Sequence, residues 1–372
     1  MKKKIVYIIS DIDRAVGFED IYTFLKDKFD FTFILLNKGD SYFERYCLSN
    51  KIPCFRINYL GKKSIPSAIF KTFSLLKKIK PDIVHTHLVD ASIIGLTAAK
   101  LARINNRIHT RHHSDFHHVY FPHAIKYDKY INRMSCKIIA VSYSVKKILT
   151  EHENVPAEKV TTIHHGFKID EFSNIPQERI IALNEKYNPK KHFPVVGVIS
   201  RYTEWKGIQN IIPAFKEVLK IHPNALLILA NAKGTYKPQI DKLLQDLPKE
   251  NYLEISFEHD LHALYKLFNV FVHVPITTTA EAFGQVYIEA FLSKVPSIYT
   301  KSGIANEFGN TDKICAFVEN ENNVSLINSA ILEILKNANE ATTMSKNAYQ
   351  YACQNFSLEL QMADFEKLYS SM

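Results

Sequence analysis

Three short stretches of the 372-residue chain combine residue types suited to a charged, oxygen-rich ligand. The first is Arg201 followed by Lys206-Gly207. A planar guanidinium fork and an ammonium five positions apart, where a helix pattern opens, make a clamp for a diphosphate. The helix N-terminus adds oriented N–H donors. The second runs from Glu281 through Phe283, Gly284 and Gln285 to Glu289. On one straight helix, carboxylates eight positions apart would stand ~2.2 turns and ~12 Å from each other. With Gly284 between them, Glu281 falls in a loop and Glu289 inside the helix, so both can face one cleft at different depths. The third is Ser302-Gly303 with Glu307, a glycine loop followed by a carboxylate, which suits a sugar or phosphate contact. Taken singly, each has a plainer reading: a pair of loop charges, a dipole partner beside a paired helix residue, and a turn.

Such residues act together only if a scaffold places them at one edge, and open parallel sheets do so at the carboxyl ends of their strands. Lys4–Ser10, Phe31–Asn37, Ile52–Asn58, Ile83–His87, Ile108–Arg111 and Ile138–Ser142 read as strands, with helix patterns at 19–29, 65–80 and 91–103. A second series has strands at Pro194–Ser200, Ala225–Ala230, Tyr252–Phe257, Val270–Val274, Pro296–Thr300 and Ile314–Val318. Its helix patterns lie at 207–221, 236–247, 260–268, 285–293 and 324–337. The alternation predicts an α/β chain with parallel, doubly wound sheets, and the length exceeds what one core usually serves. Asn174–Lys191, polar and carrying Pro176 and Pro189, reads as a linker plus a variable loop. The expected domains are 1–175 and 176–355, each Rossmann-like. A terminal helix follows in 356–372, with Leu358, Met362, Phe365 and Leu368 at helical spacing. All three reactive stretches then follow strands of the second domain.

Composition narrows the classes. Hydrophobic residues make up 46% and charged residues 23%, ordinary for a globular protein. The five cysteines are scattered without C-x-x-C spacing, which argues against a disulfide framework or a zinc site and fits a reducing compartment. Lys2–Lys4 precede an apolar run too short for a signal peptide, and no run approaches the ~20 residues of a membrane helix. The net charge of +9 is unevenly spread. Residues 1–175 hold 28 Lys+Arg against 17 Asp+Glu, and the rest hold 19 against 21. A basic half suits an anionic surface, lipid headgroups foremost. In Tyr59–Lys80, lysines 62, 63, 71, 77 and 78 interleave with Phe70 and Phe73, although a solvated helix face explains any one such stretch. No recognition motif accompanies the charge, so nucleic acid is not an expected partner.

In these motifs the second half resembles the donor-binding domain of the retaining, GT-B-fold glycosyltransferase family four. That family carries an Arg…Lys-Gly phosphate clamp, here Arg201 with Lys206-Gly207. It also carries a Glu-x7-Glu motif, here Glu281 to Glu289 through Phe283-Gly284. The first half is similar in Pro81–His87, in Thr110-Arg111-His112, in Ile138–Ser144 and in Ile163–Phe167. The resemblance implies two Rossmann-like domains with the active site in a cleft between them, and a terminal helix that crosses back to the first. It implies Arg201 and Lys206 on the donor diphosphate, Glu281 on the transferred sugar and Glu289 on the ribose hydroxyls. Phe283, Gly284 and Gln285 would offer backbone N–H groups to the donor, and Gly303 and Glu307 match a further Gly…Glu stretch. His112 is the first candidate for the sugar site. His113 is the second, and is placed with Asp115 on the acceptor side. Three positions depart from the family. Gly17 alone stands for its Gly-Gly loop after the first strand and is counted with the donor-binding residues. His165-Gly166 replaces Asn-Gly, and Asn231–Gly234 replaces Gly-x-Gly.

The resemblance thus implies a retaining sugar transfer from a nucleotide-diphosphate sugar to a hydroxyl of a glycan or lipid-linked saccharide. The expected setting is cell-surface polysaccharide or lipopolysaccharide synthesis at the cytoplasmic membrane face. A nucleotide-sugar epimerase of the same fold and an inactive nucleotide-sugar-binding subunit are the alternatives. No metal or other cofactor is expected, since basic residues and helix termini neutralise the leaving diphosphate. Six of the sixteen histidines crowd 109–123, but that run shows no recognised metal-ligand arrangement. His85 and His87 are expected to pack or hydrogen-bond at a strand end.

Overall fold

The computed structural model describes residues 2–308, 313–319 and 323–372. The chain forms two compact units, one from Met1–His164 with Glu359–Met372, the other from His165–Leu358. The first passage between them falls after His164, ahead of the position near 175 suggested by the polar stretch. Inside the second unit the two passing segments are tied together. Phe167 donates its N–H to Phe356 and accepts one from Leu358, both at 2.9 Å.

The first unit is one sheet of seven parallel strands: β1 (Lys3–Ser10), β2 (Phe29–Asn37), β3 (Cys54–Asn58), β4 (Ile83–His87), β5 (Asn106–Arg111), β6 (Lys137–Ala140) and β7 (Val160–Thr162). Their order is β3-β2-β1-β4-β5-β6-β7. Ile5–Ile9 are fully buried because helices cover both faces, which is why β1 reads as a continuous apolar run. β7 escapes the sequence pattern because only Val160 of its three residues is buried. The C-terminal helix Leu358–Ser371 closes this unit. Its Tyr369 hydroxyl bonds Tyr7 and, at 2.8 Å, His85 Nδ1.

The second unit is a six-stranded parallel sheet: β8 (Val195–Ile199), β9 (Leu226–Ala230), β10 (Tyr252–Ile255), β11 (Val270–His273), β12 (Ser297–Tyr299) and β13 (Ala316–Phe317). The order is β10-β9-β8-β11-β12-β13. The helix Ile208–Ile221 buries Ile208, Ile211, Ile212, Phe215 and Val218, the stripe expected of a 3.6-residue period. Each such side chain contributes about 1.5–3 kcal/mol by leaving water.

Two helices of the second unit, each longer than ten residues, are absent from the sequence reading. The supposed linker contains the helix Gln177–Tyr187, which starts directly after Pro176 and ends before Pro189. Only Leu183 of that helix is buried, too thin a stripe to read. The helix Ala338–Asn355 buries Ala341, Ser345, Ala348 and Ala352. Its inward face has helical spacing but small side chains, so the apolar signal is faint. No helix among the described residues is long and apolar enough to cross a membrane.

Candidate active site

In the second unit the loops after β8, β11 and β12 converge on Glu281. β8 ends at Ile199, and the Ser200 N–H still reaches Ala230 O at 3.0 Å. Arg201 follows, exposed, and forms no ion pair among the described residues. A single 3-10 turn, Glu204–Lys206, leads to Gly207 at φ +74°. A Cβ there would stand 1.8 Å from Val274 O, so only glycine lets this turn lie against the segment after β11. Ile276 N–H donates to Trp205 O at 3.1 Å and pins the same approach.

That approach places Lys206 beside Glu281, and the two form an ion pair. The same carboxylate oxygen accepts from Nε2 of His273, the last residue of β11, at 2.9 Å. The Glu281 N–H donates to Ser302 Oγ at 3.0 Å. Glu281 and His273 are both buried. Burial pushes the Glu281 carboxyl up, but Lys206 and His273 outweigh it and hold it down at about 2. Burial also lowers the His273 pKa, so that imidazole is neutral with its proton on Nε2. The site therefore presents an ionised carboxylate between an ammonium and a neutral imidazole.

Gly303 sits in the left-handed region at φ +57°. A Cβ there would meet Glu281 Cβ at 2.7 Å and Phe283 O at 2.6 Å. Ile304 N–H donates to Phe283 O at 2.9 Å, and Asn306 Nδ2 donates to Thr278 O at 3.0 Å. The turn Gly303–Glu307 is thereby laced to the loop carrying Glu281, with Glu307 half-buried at its end. Gly284 is the N-cap of the helix Gln285–Leu292, and Gln285 is exposed as its first residue. The Phe283 ring is buried, edge-on to His165 with ring centres 5.0 Å apart, so only its backbone faces the loop chemistry. Glu289, inside that helix, accepts from the Tyr265 hydroxyl at 3.0 Å. Burial raises its carboxyl to about 6 against the pull of that bond.

The structure brings Lys206 and Gly303 each against Glu281 and gives Glu289 a separate partner. His273 and Tyr265 were not singled out from the sequence, and Ser302 was read there only as the start of the Gly303…Glu307 turn. A strand-final histidine just before the Glu motif was the one available signal.

The remaining candidates lie in the first unit. His112 Nε2 is 3.0 Å from His87 Nδ1. His85 Nε2 bonds Thr110 Oγ1 at 2.7 Å, so His85 and His87 hydrogen-bond at the end of β4 as expected. His113 Nε2 bonds Asp128 at 3.2 Å, and Asp115 precedes the short helix Phe116–Tyr120. Gly17 needs correction. It lies within the first turn of the helix Val16–Leu25, with nothing within 4 Å of a built Cβ, and not in a loop after β1. The helix starts earlier than the apolar pattern because Val16, its first residue, is exposed.

The model of glycosyl transferases group 1 matches residues 180–351, and that of glycosyltransferase family 4 matches residues 21–171. The alpha-monoglucosyldiacylglycerol synthase of Acholeplasma laidlawii is 25% identical over 315 residues, 79% of this chain and 76% of the relative. The UDP-Gal:alpha-D-GlcNAc-diphosphoundecaprenol alpha-1,3-galactosyltransferase of Escherichia coli is 23% identical, covering 98% of this chain and 95% of the relative. Among solved structures, Anabaena HepE in complex with UDP and glucose superposes with a TM-score of 0.82 at 19% identity over 100% of both chains. Two parallel sheets, a family model on each half and full-length structural likeness agree: the chain is a glycosyltransferase of family four, with the GT-B fold.

Proposed function

We propose that the protein transfers a sugar, with retention of anomeric configuration, from a nucleotide-diphosphate sugar to a hydroxyl of a glycan or lipid-linked saccharide. Its setting would be cell-surface polysaccharide or lipopolysaccharide synthesis. The observation that carries this reading is the Lys206–Glu281–His273 group, locked by Gly207 and Gly303, with exposed Arg201 at the end of the neighbouring strand. Negative charge grows on the leaving diphosphate during transfer. Arg201, Lys206 and the N-terminus of Ile208–Ile221 would stabilise it. Glu281, fixed and ionised, would accept hydrogen bonds from sugar hydroxyls, and Glu289 would hold the ribose. Retention would follow from attack on the face the diphosphate leaves, with the departing phosphate taking the acceptor proton. No protein nucleophile is then required. Phe283, Gly284, Gln285, Gly303 and Glu307 complete the proposed donor contacts. His112 would serve the sugar site, and His113 and Asp115 the acceptor.

With the clamp supplying the cationic charge, we assign the donor site no metal. Turnover unaffected by added Mg²⁺ or Mn²⁺ is the expected result. A uridine nucleotide is the first donor to test, since UDP appears in the HepE complex and in the name of the E. coli relative. Peripheral attachment to an anionic cytoplasmic membrane face is proposed for the basic first unit. There the helix Ile65–Ile79 exposes Phe70, Lys71, Lys77 and Lys78.

A thermal-shift panel of nucleotides and nucleotide sugars on wild type and Arg201→Ala tests the donor assignment. A midpoint shift with one nucleotide, lost in the variant, supports it. No shift with any member on folded protein overturns it. Consumption of the donor only with an acceptor present separates transfer from epimerisation and from an inactive subunit.

A further inference from the structure

The first unit holds a second cluster of titratable side chains, of which only His113 has a proposed part in sugar transfer. Arg111 ends β5, and its guanidinium is almost completely buried. It faces two fully buried carboxylates, Asp128 at 3.1 Å and Glu153 at 2.6 Å. One positive and two negative charges leave a single negative charge in excess in a place with little water, and such an excess is costly unless offset. Three histidines surround it. His113 Nε2 and His117 Nδ1 approach the two oxygens of Asp128 at 3.2 Å and 2.7 Å, and His118 Nε2 approaches Glu153 at 3.1 Å.

The Asp128 side of this network has the make-up of a metal site. His113 Nε2, His117 Nδ1 and an Asp128 carboxylate oxygen lie within 4.8 Å of one another. The two imidazole rings are 4.4 Å apart centre to centre. Asp128 is fully buried, whereas His113 and His117 keep 21% and 13% of their side chains exposed, so an ion has a path from solvent. Two imidazoles and one carboxylate suit a borderline cation such as Zn²⁺, Co²⁺ or Ni²⁺, with further positions left for water. Arg111, on the Asp128 oxygen that His113 also approaches, would orient the carboxylate, and Glu153 would balance the arginine. An imidazole that carries its proton on the outer ring nitrogen turns a lone pair inwards, so binding displaces the hydrogen bonds to Asp128.

The sequence hides this arrangement. His113 and His117 are four apart in a histidine-crowded run, but the third ligand comes from the next helix, Ile125–Met134. We infer that His113, His117 and Asp128 form a binding site for one divalent transition-metal ion in the first unit, separate from the donor site. The inference does not depend on the sugar-transfer reading.

Cobalt titration of tag-free, chelator-treated protein tests it, followed by visible absorption and by equilibrium dialysis with Zn²⁺. The expected result is one equivalent bound, with the visible d–d bands of a site of low coordination number. Affinity should fall at least tenfold in His117→Ala and in His113→Ala, and stay unchanged in His123→Ala. The far-ultraviolet spectrum and melting midpoint of each variant report that it is folded. Absence of saturable binding to wild type, or binding that survives both His113→Ala and His117→Ala, overturns the inference.

Discussion

Lys206 and Glu281, 75 residues apart in the chain, form an ion pair at the ends of two neighbouring parallel strands. The same Glu281 oxygen accepts the hydrogen bond of His273 Nε2–H, so one carboxylate oxygen satisfies a cation and a neutral donor at once. A diphosphate arriving at Lys206 would share an ammonium that is already oriented. Pre-orientation of that kind is how a charged site avoids reorganising as the reaction proceeds.

Glu281→Gln keeps the shape and removes the charge. Turnover is expected to fall by about 10²–10³, the usual loss when one pre-oriented polar group is removed from a transition-state site. Folding should weaken by about 1–3 kcal/mol, because His273 and Lys206 lose a charged acceptor in a dry place. Steady-state kinetics beside urea unfolding measure both. Unchanged turnover would remove Glu281 from the sugar site.

The two motif carboxylates should respond to pH with opposite signs. Glu281 is held at about 2, below its ordinary 4.5, chiefly because Lys206 and His273 outweigh the cost of burial. Its stabilising contribution is present above pH 4.5 and is lost as pH falls towards 2. Glu289 is raised to about 6 by burial. It favours the fold below pH 4.5, and that contribution disappears as pH rises through 6. Glu289→Gln should therefore flatten the stability profile between pH 4.5 and 6 and leave the acid limb intact. If Glu289 holds the ribose as a carboxylate, donor affinity in wild type should drop below pH 6. Denaturant melts and nucleotide titrations across pH 3–8 read these outcomes.

Gly303 is the tightest point between the Glu281 loop and the turn after β12. Alanine there must take φ +57° and place a methyl 2.7 Å from Glu281 Cβ and 2.6 Å from Phe283 O. Backbone strain and overpacking each cost about 1–3 kcal/mol. Gly303→Ala is expected to lower the melting midpoint by several degrees and to abolish donor binding. Gly17→Ala, with open space around it, should be neutral or slightly stabilising.

What could be read from sequence follows from how each feature is encoded. Strands buried on both faces leave continuous apolar runs, so β1, β8 and β9 were plain. The Arg201, Lys206 and Glu281–Glu289 spacings are local and were equally legible. Contacts made by folding were not. Nothing in the spacing ties His273 to Glu281, Tyr265 to Glu289 or Asp128 to His113. Helix Ala338–Asn355 was hidden because alanine and serine fill its inward face, and Gly17 was misplaced because an exposed valine starts its helix.

Arg111 offers a test of the first unit that is independent of catalysis. Its side chain is 1% exposed, and both its carboxylate partners are fully buried. Glu153 has further donors in Asn132 Nδ2 at 2.6 Å and His118, and Asp128 has His113 and His117. None of those donors is shared by both carboxylates, as the guanidinium is. Asp128 sits at about 2, where burial is outweighed by the His113 bond, by Arg111 and by His117. Arg111→Met keeps much of the volume and leaves two ionised carboxylates facing each other, a change that typically costs about 3–5 kcal/mol. Part of that loss should be recovered as pH falls, since protonating a carboxylate or a histidine relieves the repulsion. Urea unfolding of wild type and Arg111→Met at pH 5 and pH 8 is the measurement. A variant as stable as wild type at pH 8 would mean the network is wetter and less charged than its burial implies.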